Sequence, residues 1–231
     1  MANTREAPAR GGTATTAADE RALPLRERKR LRTRRTLAET ALRLFTAHGF
    51  EATTLEQLVE EAEVSKSTFF RAFPAKEAVA VEAEAEVWTA YTATLEGRQP
   101  DGVILDELRD ALTEVAVALD PDWDRRYVAT RKLILATPAL LAYVDYYRTG
   151  VERQVVACLA NKLGLDGDDM RLQVLAELTT TAWSVAARDW VRNNAHGGRD
   201  HLTQRLHDAF RAIPASLRLR ASGTSEHPPD H

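Results

Sequence analysis

Five polar residues within seven positions, Ser65, Lys66, Ser67, Thr68 and Arg71, concentrate hydroxyl, ammonium and guanidinium groups just before Pro74. On a helix they fall near its N-terminal end, where such groups can donate to and accept from base edges and phosphates in a major groove. The same pattern also describes an ordinary capped helix with a polar face, and periodicity alone does not choose between the two. Other chemistry is poorly supplied. The sequence has no G-x-S-x-G, G-x-G-x-x-G, Walker or H-E-x-x-H pattern, so no catalytic residues are assigned and no cofactor is expected. His196, His201 and His207 are five and six positions apart, which does not place two metal ligands on one helical face. Asp166, Gly167, Asp168 and Asp169 lack the full calcium-loop pattern and read as a turn with a cap, so no metal is expected.

The elements that must position these side chains are helical. Between a small-residue segment over 1–24 and a Pro-containing segment over 217–231, both expected to be disordered, nearly every stretch shows helical period. The expected class is all-α with about nine helices. A first helix from Arg26 to His48 carries the apolar stripe Leu37, Ala38, Ala41, Leu42, Leu44 and Phe45 and stops at Gly49. Thr54 and Gln57 fit a capping box for a second helix, Ser65 caps a third, and Pro74 ends it. Longer helices are expected from Ala75 to Leu95, Leu105 to Leu119, Asp122 to Ala136 and Pro138 to Leu163. Two more follow, from Asp168 to Asn194 and from Asp200 to Ile213, the last closed by Pro214. The expected division is a helix-turn-helix domain over 25–74 and a ligand-binding and dimerisation domain over 75–216.

Charge is unevenly spread along the chain. The whole carries a formal net charge of −3, yet residues 21–48 hold nine Arg or Lys against two Glu, a local charge of about +7. A basic segment on an acidic protein suits contact with phosphates, and it also suits a solvated helix start. One cysteine, Cys158, lies in an apolar run and reads as core. With no apolar leader and no stretch of about 20 apolar residues, the expectation is a cytoplasmic protein with no membrane contact.

The stretch GFEATTLEQLVEEAEVSKSTFFRAFPAKEAVA, residues 49–80, resembles the DNA-binding domain of the TetR family of transcription regulators. The matching features are Gly49-Phe50, Thr53-Thr54, Val64-Ser65, the run Thr68-Phe69-Phe70-Arg71-Ala72-Phe73, and Pro74 followed by Lys76-Glu77. The resemblance implies that Lys66, Ser67, Thr68, Phe70 and Arg71, with the cap Ser65, meet bases or nearby backbone. It also implies that Thr54 and Lys76 hold phosphates, while arginines before or within the first helix, Arg32 and Arg34 among them, add contacts. Two departures stand out. Glu63 occupies a turn position where relatives often have glycine, and the expectation is that the backbone there does not need positive φ. Phe70 replaces a frequent tyrosine and loses its hydroxyl.

The segment from Arg131 to Val144 resembles the C-terminal domain of mycofactocin-type regulators, which implies an acyl-CoA-like small-molecule effector and a cavity for a long apolar chain. Trp88, Tyr91, Trp123, Tyr127, Tyr147 and Trp183 are candidates to line it, with simple core packing the alternative for each. Arg131 is a candidate anchor for an anionic head group, with a surface salt bridge the favoured alternative. The last two helices are expected to form a homodimer, using Leu175, Leu178, Thr179, Ala182, Ala186, Leu202, Leu206, Ala209 and Phe210. The expected function is a repressor released from its double-stranded DNA operator by an apolar or acyl-type ligand. A ligand-independent regulator or activator is the alternative.

Overall fold

A computed structural model describes residues 24–220. The segment expected to be an arm lies outside the described residues except for Pro24, and of the expected tail only 217–220 are described. Among the described residues there are ten helices and no strand.

Three helices form the amino-terminal head: α1 (Leu25–His48), α2 (Leu55–Glu61) and α3 (Lys66–Ala72). The apolar stripe expected on α1 is its buried face. In α2 the capping box is formed: Gln57 N donates to the Thr54 hydroxyl, and Thr54 N donates to Gln57 Oε1 at 2.8 Å. The turn after α2 departs from expectation. Glu63 has φ 53, because Val64 N reaches back to Val59 O and Glu63 N to Glu60 O, the left-handed closure usually given to glycine. Ser65 caps α3 by accepting from Thr68 N.

The helix expected from Ala75 to Leu95 is two helices, α4 (Lys76–Ala80) and α5 (Glu82–Gly97), separated by a turn at Val81. The body continues through α6 (Ile104–Ala118), α7 (Trp123–Ala136), α8 (Pro138–Leu163), α9 (Met170–Arg192) and α10 (Gly198–Ser216). Asp122 does not cap α7 with its side chain; the carboxylate is taken by Arg125 at 2.8 and 2.9 Å. Asp169, not Asp168, caps α9. Pro214 lies within α10, whose last turn continues to Ser216.

Two hydrophobic cores result. The body core gathers apolar faces of α5 through α10 around Trp88, Trp123, Trp183 and Trp190. The head core extends past Pro74 to Ala78, Val79, Ala80 and Val81, and it takes in Ile134 and Leu140 from the α7–α8 elbow. That elbow is therefore built into the base of the head, and the expected boundary at residue 74 runs through a continuous core.

Candidate nucleic-acid interface

On α3 the inward residues fix the outward ones. Phe69 and Phe73 are buried, and the Phe70 ring stands edge-on to Phe69 at 5.4 Å, held out into solvent at 54% exposure. Lys66, Ser67 and Arg71 are exposed and Thr68 is half-buried. A polar chain orders this face: the Ser65 and Thr68 hydroxyls are 2.9 Å apart, and Arg71 donates to Thr68 Oγ1 at 3.1 Å and to Ser67 O at 3.3 Å. Lys66 pairs with Glu56 on α2, and this hydrogen bond holds the Glu56 carboxyl below its ordinary pKa. Both partners are exposed, so the pair is easily exchanged for a stronger anion.

Other residues chosen from sequence have structural partners. Lys76 donates to Phe50 O at 2.9 Å and Thr53 O at 3.0 Å, its ammonium lying 4.1 Å from the centre of the Phe50 ring. It thereby closes the loop that presents Thr54. Arg34 is a clamp: its guanidinium spans both Glu82 oxygens, donates to Ala72 O at the end of α3, and covers the Phe73 ring at 4.1 Å. Arg32 is exposed and makes no ion pair with a described residue. Arg26, Arg28, Lys29 and Arg30 continue the basic end of α1 into solvent, so the cationic tract and the exposed face of α3 belong to one head. Hydroxyl, guanidinium and ammonium groups arrayed this way can meet phosphates and base edges.

In the body, the six aromatic candidates come together, and five of them pack on one another. Trp123 stacks on Trp190 at 5.9 Å, Trp88 meets Trp183 edge-on at 6.0 Å, and Trp183 donates to the Tyr127 hydroxyl at 3.0 Å. Trp88, Tyr91, Trp123, Tyr127 and Trp183 are buried, and Tyr147 is half-buried beside them. Arg131 is not a surface ion pair: it faces the buried Glu84 at 3.4 Å, and Glu84 also accepts from Trp88 Nε1 at 3.2 Å. The Tyr91 hydroxyl is buried without a hydrogen-bond partner at normal geometry among the described residues.

Sequence reasoning missed Glu82, Glu84 and Glu86. Each takes an arginine from another helix, respectively Arg34, Arg131 and Arg126, the last at 2.5 Å. Their signal was present as E-A-E-A-E, in which Glu82 and Glu86, four positions apart, share one face of the helix and Glu84 falls on nearly the opposite one. Among the described residues no group of three or more His, Cys, Asp or Glu could hold a metal ion, and no helix is long and apolar enough to cross a membrane.

Comparison with known proteins decides what this head is. The profile described as bacterial regulatory proteins of the tetR family matches residues 37–83, and the MftR C-terminal domain profile matches 103–218, half of the chain. The HTH-type transcriptional regulator TcmR of Streptomyces glaucescens is 34% identical, over 72% of this chain and 76% of its own. The chain belongs to the TetR family. This regulator is also 26% identical, over 82% of its length and 93% of the relative's, to the protein named as mycofactocin biosynthesis transcriptional regulator MftR of Mycobacterium tuberculosis. A solved transcriptional regulator from Aquifex aeolicus shares 17% identity, covers 78% of this chain and 99% of its own, and has a TM-score of 0.47. The TetR-family chain is thus a DNA-binding transcription regulator with a helix-turn-helix head and an MftR-type C-terminal domain.

Proposed function

We propose that this regulator is a homodimeric repressor that leaves its operator when a small apolar or acyl-type ligand binds the body. The observation that carries the reading is the Arg34 clamp. One guanidinium holds the last carbonyl of the recognition helix α3 and the first residue of α5, Glu82. Trp88 and Tyr91, farther along α5, lie in the body core. A ligand that displaces α5 therefore has a direct mechanical route to α3, and differential affinity for the two positions is what release requires. The buried Tyr91 hydroxyl, whose approach to Thr179 falls short of normal hydrogen-bond geometry, and the Glu84–Arg131 pair supply polar groups for a ligand head inside an apolar surround.

On the head, Lys66, Ser67, Thr68 and Arg71 are assigned to base edges and adjacent phosphates, Phe70 to the sugar-phosphate backbone, and Thr54 and Ser65 to phosphates at helix starts. Arg32 adds a cation alongside. Lys76 and Arg34 act by holding the head together, with phosphate contact reserved to what their partly exposed surfaces leave. The dimer is assigned to α9 and α10. Most residues expected at that interface are internal: Thr179, Ala182, Ala186, Leu202, Leu206 and Phe210 are buried within the chain. The apolar stripe left open on α9 is Met170, Val174 and Val185, with half-buried Leu178 between them.

The test is a gel-shift series on an operator fragment with acyl-CoA esters of increasing chain length. Release at tenfold or greater loss of affinity supports the reading; unchanged affinity at every length contradicts it. The ligand-independent alternative is favoured by one observation, the direct packing of the aromatic rings on each other.

A further inference from the structure

A large cleft lies elsewhere, between head and body, and holds about 1090 Å³. Its head wall is the end of α1 and the following turn, with Phe45, Phe50 and Glu51; its body wall is α7, with Val128, Ala129 and Leu133. Pro138 at the elbow and Ala195 in the α9–α10 turn close its ends. None of the six aromatic candidates lines it.

The charges on these walls are unequal in availability. Asp124 is committed to Arg199, and Arg125 to Asp122. Among the described residues Lys132 meets a neutral partner, the side-chain oxygen of Asn194 at 2.8 Å. Asn194 and Ala195 have φ 50 and 58, a left-handed pair without a glycine, held by Asn194 N on Val191 O and Ala195 N on Trp190 O. Side chains rarely adopt that conformation, and it occurs preferentially where a site over-determines the backbone. The turn thus sets the Asn194 side-chain oxygen beside the Lys132 ammonium at the rim of an apolar cleft. Glu51, on the head wall, and His48 beside it complete the ionisable lining. Glu51 disfavours an anion near the head, so a carboxylate belongs at Lys132 with its apolar body toward Phe45 and Phe50.

We infer that the head–body cleft binds a small apolar monocarboxylate, with Lys132 as its anchor, at a site separate from the ring cluster. An occupant there separates the α1–α2 turn from α7 and changes how the head sits on the elbow. The binding claim stands apart from ligand-driven release in the body; only its consequence for DNA rests on that reading.

The experiment is calorimetric titration of the full chain with decanoate, decanol and decylamine, alongside operator binding of each ligand-free variant. Decanoate is expected to saturate at one per chain and decylamine not to bind. Lys132→Gln should weaken decanoate about tenfold, the scale of one charged hydrogen bond. Ala129→Trp, which fills the cleft, should abolish binding, and Asp110→Asn on the exposed face of α6, remote from both sites, should leave it unchanged. Equal affinity in wild type and Lys132→Gln overturns the site, as does no decanoate binding at all. Loss in Tyr91→Phe with Lys132→Gln unaffected also overturns it and places the ligand in the ring cluster. Should Ala129→Trp fail to fold, the exposed Lys132→Gln decides alone. Normal operator binding with no decanoate site sinks the cleft and leaves the regulator reading intact.

Discussion

At the scale of single residues, the head uses its cations for two different purposes. Lys66 and Arg71 lie on the open face of α3 and exchange weak partners, whereas Arg34 and Lys76 are tied to backbone carbonyls at the seams of the head. Lys66→Ala should therefore leave the melting temperature nearly unchanged and lower operator affinity. Arg34→Ala should reduce both, because it releases Ala72 O and leaves Glu82 buried without its guanidinium. Thermal melts set beside binding curves separate the two behaviours. Glu63 makes a third case. Its left-handed φ is imposed by the hydrogen bonds that end α2, and Glu63→Gly should stabilise the chain by about 0.5–1 kcal/mol, a rise of about 2 °C. An unchanged or lower melting temperature would show that the turn is unstrained. The capping box, the Ser65 cap and the stripe of α1 were legible in sequence because each depends on neighbours within four residues. The clamp was not, since Arg34 and Glu82 are joined only after the chain has folded back on itself.

At the scale of elements, the start of α5 is the junction of the molecule. Its three alternating glutamates tie α5 to α1 through Arg34 and to α7 through Arg131 and Arg126. Burial pushes Glu82 from 4.5 to about 6, and Arg34 offsets only part of that rise. Because the folded value lies above the unfolded one, this group's contribution favours folding most below pH 4.5 and is lost as pH rises through about 6. Relative to Glu82→Gln, wild type should lose stability over that window; parallel melts at pH 4.5 and 7 that differ by a constant amount would contradict it. The α7–α8 elbow is the second junction. Ile134 and Leu140 are fully buried in the head core, so Ile134→Ala should cost about 2–5 kcal/mol and lower DNA affinity at temperatures where the body remains folded. A loss of body structure with the head intact would refute that placement. Both junctions carry the head core past residue 74, where Pro74 marks the end of a helix and not of the core. Periodicity saw one helix where Val81 divides two, because the apolar pattern runs through the break.

At the scale of the whole molecule, the proposed dimer joins the basic head and the open stripe of α9 into one design. A single α3 offers few base contacts, and two heads spaced about 34–36 Å apart, or a multiple, double them. Val174→Glu should therefore convert the dimer to a monomer in sedimentation and weaken operator binding without unfolding the chain, as Val174 is exposed on α9. Most of the dimer residues named from sequence are internal for a physical reason: helical spacing finds apolar faces, but burial within the chain and burial against a copy look alike in sequence. The reading on which all else depends is that the exposed face of α3 contacts DNA. It is tested most directly by a salt series of binding to the regulator's own upstream intergenic DNA, comparing wild type with Lys66→Ala and Arg71→Ala. Wild type should bind tightly and salt-dependently, and both substitutions should weaken it, with the salt slope falling by about one for each phosphate no longer neutralised. Weak binding that is indifferent to salt and to both substitutions would mean that α3 is not the DNA-reading face.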